Sequence, residues 1–262
     1  MISIIGIPSD KNSSFLKGAS KAPPLIMREF YSDASNTFTE SGIDLKANNI
    51  CKYIGCIKLD DKDNEFDLIK NAITLELEKK KKCFFLGGDH SITYPIISAY
   101  KSFYSKINIL HFDAHPDLYQ DFDDNPYSHA SPFARIMENK LADTLTQIGI
   151  RTTNSHQNTQ IEKYNVQVIS MKEFSNDIQL SFKDPVYITI DLDGLDPAFA
   201  PGVSHPEPGG LSTRDILKTI SNIKGQIIGG DIVEYNPKKD INNITAITAS
   251  KLLKETLGYM VI

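Results

Sequence analysis

Cysteine is scarce in this sequence. The 262 residues include only three, Cys51, Cys56 and Cys83. This odd and small number excludes a disulfide framework and is typical of a reducing compartment. Residues 1–8 have neither the charged start nor the apolar length of a secretory signal peptide. We therefore expect a cytosolic protein.

Long apolar runs and basic stripes are also missing. No stretch reaches the roughly 18 apolar residues that span a bilayer, so we expect no membrane partner. The formal net charge is −5, and the lysine run at 79–82 only ends a predicted helix, so we expect no nucleic-acid partner. No linker or repeat divides the chain. We therefore predict a single domain over residues 1–262.

Apolar runs of strand length recur along the chain and alternate with segments of helical spacing, such as 65–81 and 242–257. Continuous apolar runs are typical of strands that are covered on both faces. The sequence therefore predicts an α/β fold with a mainly parallel sheet and helices on each side. The predicted strands lie at 2–7, 82–86, 107–112, 144–150, 166–169, 186–190 and 226–230.

Three potential metal ligands follow one of these strands. Asp113, His115 and Asp117 occupy alternate positions, and alternate side chains of an extended backbone point the same way. Two carboxylates and an imidazole that converge in this way are best stabilised by a cation, and a divalent metal is the simplest candidate. A solvated polar loop is the alternative for this segment taken alone.

Other predicted strands end in the same manner. His90, Asp191, Asp193 and Glu234 each follow an apolar strand. Open parallel sheets bind their ligands beyond the carboxyl ends of the strands. Scattered surface acids would not be expected at four separate strand ends, so a functional site is the better interpretation.

The charges of this set balance two divalent cations. Four aspartates bring −4, the two histidines are neutral, and two cations bring +4. Two cations about 3.5–4 Å apart match a two-metal hydrolytic site, in which a shared water loses a proton near neutral pH and becomes the nucleophile. Carboxylate-dominated ligation favours Mn²⁺ over Zn²⁺. The predicted ligands of two Mn²⁺ ions are His90, Asp113, His115, Asp117, Asp191 and Asp193.

Three of these segments, GGDHS at 87–91, FDAHPD at 112–117 and DLDGLDP at 191–197, resemble the signatures of the ureohydrolases, the arginase/agmatinase family. The chain is most similar to the plant-type arginases of that family, over nearly its whole length. The likeness extends through 12–16, 128–138, 202–212 and 229–237.

The resemblance implies a three-layer α/β/α sandwich and a homo-oligomer, a trimer or a hexamer. It also implies that the six residues above bind a binuclear Mn²⁺ centre. His129 matches the family's proton-shuttling histidine, and Glu234 matches the acid that pairs with the substrate guanidinium.

The implied reaction is hydrolysis of a small guanidino substrate with release of urea, with L-arginine giving L-ornithine. Alternatives are agmatine giving putrescine, another guanidino compound, a related one-metal amide hydrolase, or a homologue that binds without turnover. The α-carboxylate of arginine needs hydrogen-bond donors. Candidate donors for it are Asn12, Asn125, Tyr127, Ser128 and Ser131.

Overall fold

The computed structural model describes residues 1–59 and 64–261, and within them eight strands form one sheet. Every pair of neighbouring strands in this sheet is parallel. Two further strands of the described residues, Leu180–Ser181 and Ile223–Lys224, pair with each other. The strands are β1 (Ile2–Gly6), β2 (Cys51–Cys56), β3 (Lys82–Leu86), β4 (Asn108–Phe112), β5 (Thr144–Ile150), β6 (Gln167–Ser170), β7 (Leu180–Ser181), β8 (Val186–Asp191), β9 (Ile223–Lys224) and β10 (Ile227–Val233).

Helices cover both faces of the sheet. Helices α1, α6 and α7 pack on one face, over a core that includes Leu110 and Ile188. Helices α2, α3 and α4 pack on the other face, over Ile109 and Tyr187. The predicted three-layer α/β/α sandwich is confirmed. The helices are α1 (Ala22–Phe30), α2 (Glu65–Glu78), α3 (Thr93–Tyr100), α4 (Pro132–Glu138), α5 (Ser155–Lys163), α6 (Thr213–Ser221) and α7 (Ile244–Val261).

The central strands are apolar because neither of their faces meets solvent. Successive residues such as Ile109 and Leu110 point into the two separate cores, as the alternation of side chains along a strand requires. Strands β8 and β10 are buried at every position. No helix within the described ranges combines the length and apolar character needed to cross a bilayer.

The order of the strands determines where the site forms. Along the sheet it runs β2-β1-β3-β10-β8-β4-β5-β6. The four strands that carry the predicted site residues, β3, β10, β8 and β4, are therefore consecutive. Since all four are parallel, their carboxyl ends meet at one edge of the sheet.

Candidate metal centre

The chain turns sharply after β3 and delivers His90 to the middle of this edge. Gly88 lies against Ser9, and a β-carbon at Gly88 would come within 1.6 Å of the Ser9 carbonyl oxygen, so only glycine fits there. Asp89 then caps a short 3-10 turn by accepting the backbone N–H of Ser91 at 3.1 Å. His90 is the first residue of that turn and is fully buried.

Three carboxylates converge on the Nδ1 atom of His90. This atom lies 3.0 Å from Asp117 Oδ2, 3.1 Å from Asp191 Oδ2 and 3.3 Å from Asp113 Oδ2. None of these contacts has hydrogen-bond geometry, so the buried Nδ1 is left without a hydrogen-bond partner among the described residues. Four ligand atoms facing a common point in this way fit a cation between them better than separate ion pairs.

A second group of ligand atoms adjoins the first. His115 Nδ1 lies 3.4 Å from Asp113 Oδ1 and 3.3 Å from Asp193 Oδ2. Asp113 therefore turns one oxygen to each group, as a carboxylate shared by two cations would. The structure brings together all six of the predicted ligands, in two groups.

The buried carboxylates of the cluster need positive charge to compensate their negative charge. Burial, with the charge of Asp113, raises the pKa of Asp117 to about 6 and that of Asp193 to about 7. Burial disfavours a charged imidazole, but Asp193 and Asp113 outweigh it and raise the pKa of His115 to about 12. Without a metal, protons carry the compensating charge. Divalent cations would displace them, since bound ligands are deprotonated.

A buried chain of hydrogen bonds that starts at Nε2 orients the His90 ring. Its Nε2 lies 3.0 Å from Thr189 Oγ1, and Thr189 donates to Asp231 Oδ1 at 2.6 Å. Asp231 also accepts from Tyr187 at 2.8 Å and from Thr93 at 3.1 Å. With the Thr189 hydrogen committed to Asp231, Nε2 of His90 is the donor to Thr189. This leaves the Nδ1 lone pair for a cation.

His111 lies in the cluster, but its tautomer excludes it as a ligand. Gln147 Nε2 donates to Pro116 O at 2.7 Å and lies 3.0 Å from His111 Nδ1. Nδ1 is therefore an acceptor, and Nε2 carries the proton that it donates to Asp113 Oδ2 at 2.7 Å. Burial lowers the pKa of His111 to about 4, so the ring is neutral. Its role is to orient the carboxylate that the two groups share.

Arg151 fixes the loop that carries Asp193. Among the described residues, the hydrogen-bond partners of its guanidinium are all backbone carbonyl oxygens, at 2.6 to 3.2 Å. Gly210 leaves room for it, because a β-carbon there would come within 2.6 Å of Arg151 Nη2. The carbonyl groups belong to Gly149, Asp193, Gly194, Leu195 and Glu207.

His129 and Glu234 form a buried pair beside the cluster. His129 Nδ1 lies 2.8 Å from Glu234 Oε1, and the same oxygen accepts the backbone N–H of His90 at 2.9 Å. Burial opposes a charge on His129, but Glu234 raises its pKa to about 9. His129 in turn lowers the pKa of Glu234 despite burial. Glu234 has φ 65°, a left-handed conformation that is unusual for a residue other than glycine and occurs here at the end of β10.

A cavity of about 140 Å³ opens over these groups. Apart from the metal-ligand candidates, His129 and Glu234, its wall contains no charged carboxylate or ammonium group from the described residues. The remaining wall residues are Ser14, Tyr119, Phe122, Ala130, Thr152, Gln157 and His205.

Three of the residues predicted to contact the substrate tail line a neighbouring groove instead. Asn12, Asn125 and Tyr127 lie there. Asn125 donates to Asn12 at 3.1 Å, and the Tyr127 ring packs edge-on against Phe66 and lies at a tilt to Tyr94. The geometry therefore does not favour these three as substrate contacts.

The two predicted serines are buried and are not among the residues that line the cavity. Ser128 Oγ accepts the N–H of Ala130 at 3.3 Å, and Ser131 Oγ has no partner among the described residues. Ser14 and His205, which do line the cavity, lie in the segments 12–16 and 202–212. The sequence resemblance marks both segments but does not say which of their side chains face the site.

Known relatives match the chain over nearly its whole length. The mitochondrial arginase of Medicago truncatula is 42% identical over 98% of this chain and 81% of its own. Arginase 2 of Arabidopsis thaliana, named chloroplastic or mitochondrial, is 40% identical over 98% of this chain and 80% of its own. An agmatinase from Blochmanniella floridana is more distant, at 34% over 97% of this chain and 86% of its own.

These names contradict the expected cytosolic location, because the plant relatives are described as mitochondrial or chloroplastic proteins. The expectation was wrong for a physical reason. Scarce cysteine separates reducing from oxidising compartments, but it does not separate the cytosol from an organelle. The missing signal-peptide pattern bears only on secretion.

The fold of the chain is similar to that of an arginase, in agreement with the sequence similarity. The solved arginase from Medicago truncatula superposes with a TM-score of 0.94 over 99% of this chain and 87% of its own. The family model described as the arginase family matches residues 1–258. The chain therefore belongs to the arginase family.

Proposed function

We propose that this chain hydrolyses the guanidino group of L-arginine, giving urea and L-ornithine, with two Mn²⁺ ions bound. The observation that carries the proposal is the sharing of Asp113. Its two oxygens face His90 and His115 at 3.3 and 3.4 Å, next to a cavity that also contains His129 and Glu234. Two adjoining cation sites at one small cavity are the arrangement of a two-metal hydrolase.

One ion would be held by His90, Asp113, Asp117 and Asp191, and the other by the group that contains His115 and Asp193. Mostly carboxylate oxygens with two imidazoles suit Mn²⁺ better than Zn²⁺, which prefers Cys and His. When bound, paired divalent cations supply a hydroxide nucleophile near neutral pH. A guanidinium carbon needs this strong nucleophile, because the group stays charged and resonance-stabilised at any ordinary pH.

Glu234 holds the guanidinium against the ligand cluster. Its Oε1 already accepts from His129 and from the His90 backbone, and its Oε2 has no partner within residues 1–59 and 64–261. Oε2 is therefore the oxygen that accepts a substrate N–H. A charge-assisted bond of this kind is stronger than a neutral one and fixes the orientation of the guanidinium plane.

His129 supplies the proton that the leaving amine takes up. The C–N bond between the former guanidino carbon and the substrate chain breaks, and the departing nitrogen takes up a proton. Among the described cavity residues, His129 is the imidazole that Glu234 keeps protonated, with a pKa raised to about 9. This makes it a suitable general acid near neutral pH.

The wall of the cavity favours arginine over agmatine. Agmatine carries a second positive charge, which an acid near the cavity mouth would stabilise. The outer wall instead presents the neutral polar groups of Tyr119, Thr152 and Gln157, which can donate to a carboxylate. The volume of about 140 Å³ lies below the ~300–1,000 Å³ of pockets for drug-sized ligands and suits a small substrate.

The proposal is tested by urea release and by kcat/KM for arginine and for agmatine, using Mn²⁺-loaded protein. We expect a clear preference for arginine, and an equal or reversed preference would reject this substrate. Metal analysis should give two Mn²⁺ per chain, whereas one would favour an amide hydrolase. Absence of urea from both substrates would reject ureohydrolase activity.

We further propose that the chain acts as a single domain and assembles into a trimer or a hexamer. The support is kinship with the arginase family, whose model matches residues 1–258. Sedimentation velocity measures the assembly directly. A monomer at micromolar concentration would reject it.

A further inference from the structure

His129 has no free ring nitrogen with which to protonate a substrate. Its Nδ1 lies 2.8 Å from Glu234 Oε1, and its Nε2 lies 2.8 Å from Ser14 Oγ. Because Glu234 is a carboxylate acceptor, Nδ1 is a donor. The proton that His129 can release is therefore the one on Nε2, and that proton points at Ser14.

We propose that Ser14 is the hydroxyl relay through which His129 delivers its proton. The inference rests on the proposed function, and it names a residue of the same site. In one step, Ser14 Oγ accepts the proton from His129 Nε2 and passes its own hydroxyl proton to the leaving amine. One proton enters the hydroxyl and one leaves, so serine is unchanged and the imidazole becomes neutral.

The position of Ser14 fits a relay. Ser14 is part of the cavity wall and is exposed to solvent, whereas His129 is only 8% exposed. Oγ can donate and accept at the same time. Ser14 therefore connects a buried imidazole with the space where the amine departs and with the water that restores the proton on His129.

Hydrogen bonds on both sides hold the loop around Ser14 in place, so the contact between Ser14 and His129 is a fixed feature of the site. On one side, the Asn12 backbone N–H donates to Asp89 Oδ2 at 3.0 Å, and Ser13 Oγ donates to the same oxygen at 3.3 Å. On the other side, Ser204 Oγ donates to the Leu16 carbonyl at 3.0 Å. Rotation of His129 towards the substrate would break both of its 2.8 Å contacts. Transfer through Ser14 keeps both.

A relay predicts that two protons move in the step, and this can be measured. We expect kcat of the Mn²⁺-loaded wild type to depend on the deuterium fraction of the solvent along a curve, as two transferred protons require. Ser14→Ala should lower kcat roughly ten- to hundredfold, within the range of general acid catalysis, and should give a straight line. Ser14→Thr keeps a hydroxyl and should restore most of kcat and the curve.

Ser13→Ala is the matched control, because it removes a hydroxyl and one anchor of the same loop but no contact to His129, and so separates a loosened loop from a lost relay. It should keep the curved dependence. A straight line for the wild type, or unchanged kcat for Ser14→Ala, would overturn the relay, as would equal losses in Ser14→Ala and Ser14→Thr. Absence of urea release by the wild type would instead reject the proposed function itself, so the two failures are distinguishable.

Discussion

Gly194 and Asp113 touch through their backbones, across the carboxyl ends of β8 and β4. A β-carbon on Gly194 would lie 2.8 Å from the Asp113 nitrogen and 2.9 Å from its α-carbon. Real β-carbons do not approach backbone atoms so closely, so the two loops can meet only because residue 194 is glycine. This contact sets the distance between Asp193 and Asp113, two candidate ligands of one ion.

We therefore expect Gly194→Ala to separate the two ligand loops. Overpacking of this kind costs about 1–3 kcal/mol of unfolding free energy, and misplacement of a ligand should weaken Mn²⁺ binding roughly tenfold or more. Urea unfolding of the metal-free protein and calorimetric titration with Mn²⁺ measure the two effects. Wild-type Mn²⁺ affinity in the variant would show that the contact does not position Asp193.

The tautomer of His111 leads to a second prediction. Gln147 donates to His111 Nδ1 and so forces the ring proton onto Nε2, which faces Asp113. In Gln147→Leu this constraint is lost, and the proton can move to Nδ1, which turns a lone pair towards the carboxylate. We expect about a 10- to 100-fold loss of Mn²⁺ affinity.

The control for this variant is Gln160→Leu. Gln160 is also buried, at 4% exposure, but it lies on α5 with its amide 3.5 Å from His156. Mn²⁺ affinity should stay unchanged in Gln160→Leu, as measured by titration. Equal losses in the two variants would mean that removing any buried amide weakens the fold, and that His111 has no specific role.

Much of the ligand set could be predicted from the sequence, because each ligand lies at the end of an apolar strand or within five residues of it. Strand ends are local features, and the alternate spacing of Asp113, His115 and Asp117 is visible in the chain itself. The order of the strands is not local. Nothing in the sequence spacing says that β10 lies between β3 and β8, which brings Glu234 next to His90.

The residues that hold the ligands could not be predicted in this way. Thr189 and Asp231 lie within apolar strands and resemble isolated polar interruptions. Contacts that are distant in sequence also bear on Tyr127, which was predicted as a hydrogen-bond donor to the α-carboxylate of arginine. Its ring instead packs on Phe66, a contact between residues that are 61 positions apart in the sequence, which no local pattern predicts.

Arg151 gives a third prediction, because its guanidinium donates to five backbone carbonyl groups of the described residues, in three separate segments. Lysine has at most three donors and no planar fork. Arg151→Lys should therefore leave carbonyl groups unpaired, and we expect a loss of about 2–4 kcal/mol of unfolding free energy together with weaker Mn²⁺ binding through Asp193.

Arg214→Lys is the matched control, since Arg214 is exposed and pairs with Glu40 on the surface. Exposed pairs contribute about 0–1 kcal/mol, so little change is expected. Urea denaturation of all three proteins gives the comparison. If Arg151→Lys were as stable as Arg214→Lys, the carbonyl network would not be what holds the Asp193 loop.

The cluster also predicts how metal removal changes the response to pH. The pKa is raised to about 7 for Asp193 and to about 6 for Asp117, by burial and by Asp113, and to about 9 for His129, by Glu234 despite burial. Each raised pKa means that the folded protein binds more protons than the unfolded chain. The stability that the two aspartates contribute to the metal-free protein should therefore be lost as pH rises from about 4 to 7, and that of His129 as pH rises from about 6.5 to 9.

Mn²⁺ should reverse part of this trend, because bound cations take the place of the protons on the ligands. Protons compete with the metal, so Mn²⁺ affinity increases with pH, and the stability that binding adds increases with it. Melting temperatures of metal-free protein should fall from pH 6 to 8.5, and the increase in melting temperature from excess Mn²⁺ should become larger over the same range.

The contribution of His129 to stability is isolated with the variant His129→Gln. Its stabilising effect is full below about pH 6.5, so the variant should be less stable than wild type there, and the difference should vanish as pH rises through about 9. A metal-free melting temperature that increases from pH 6 to 8.5 would mean that Asp193 and His129 do not have raised pKa values in the folded protein.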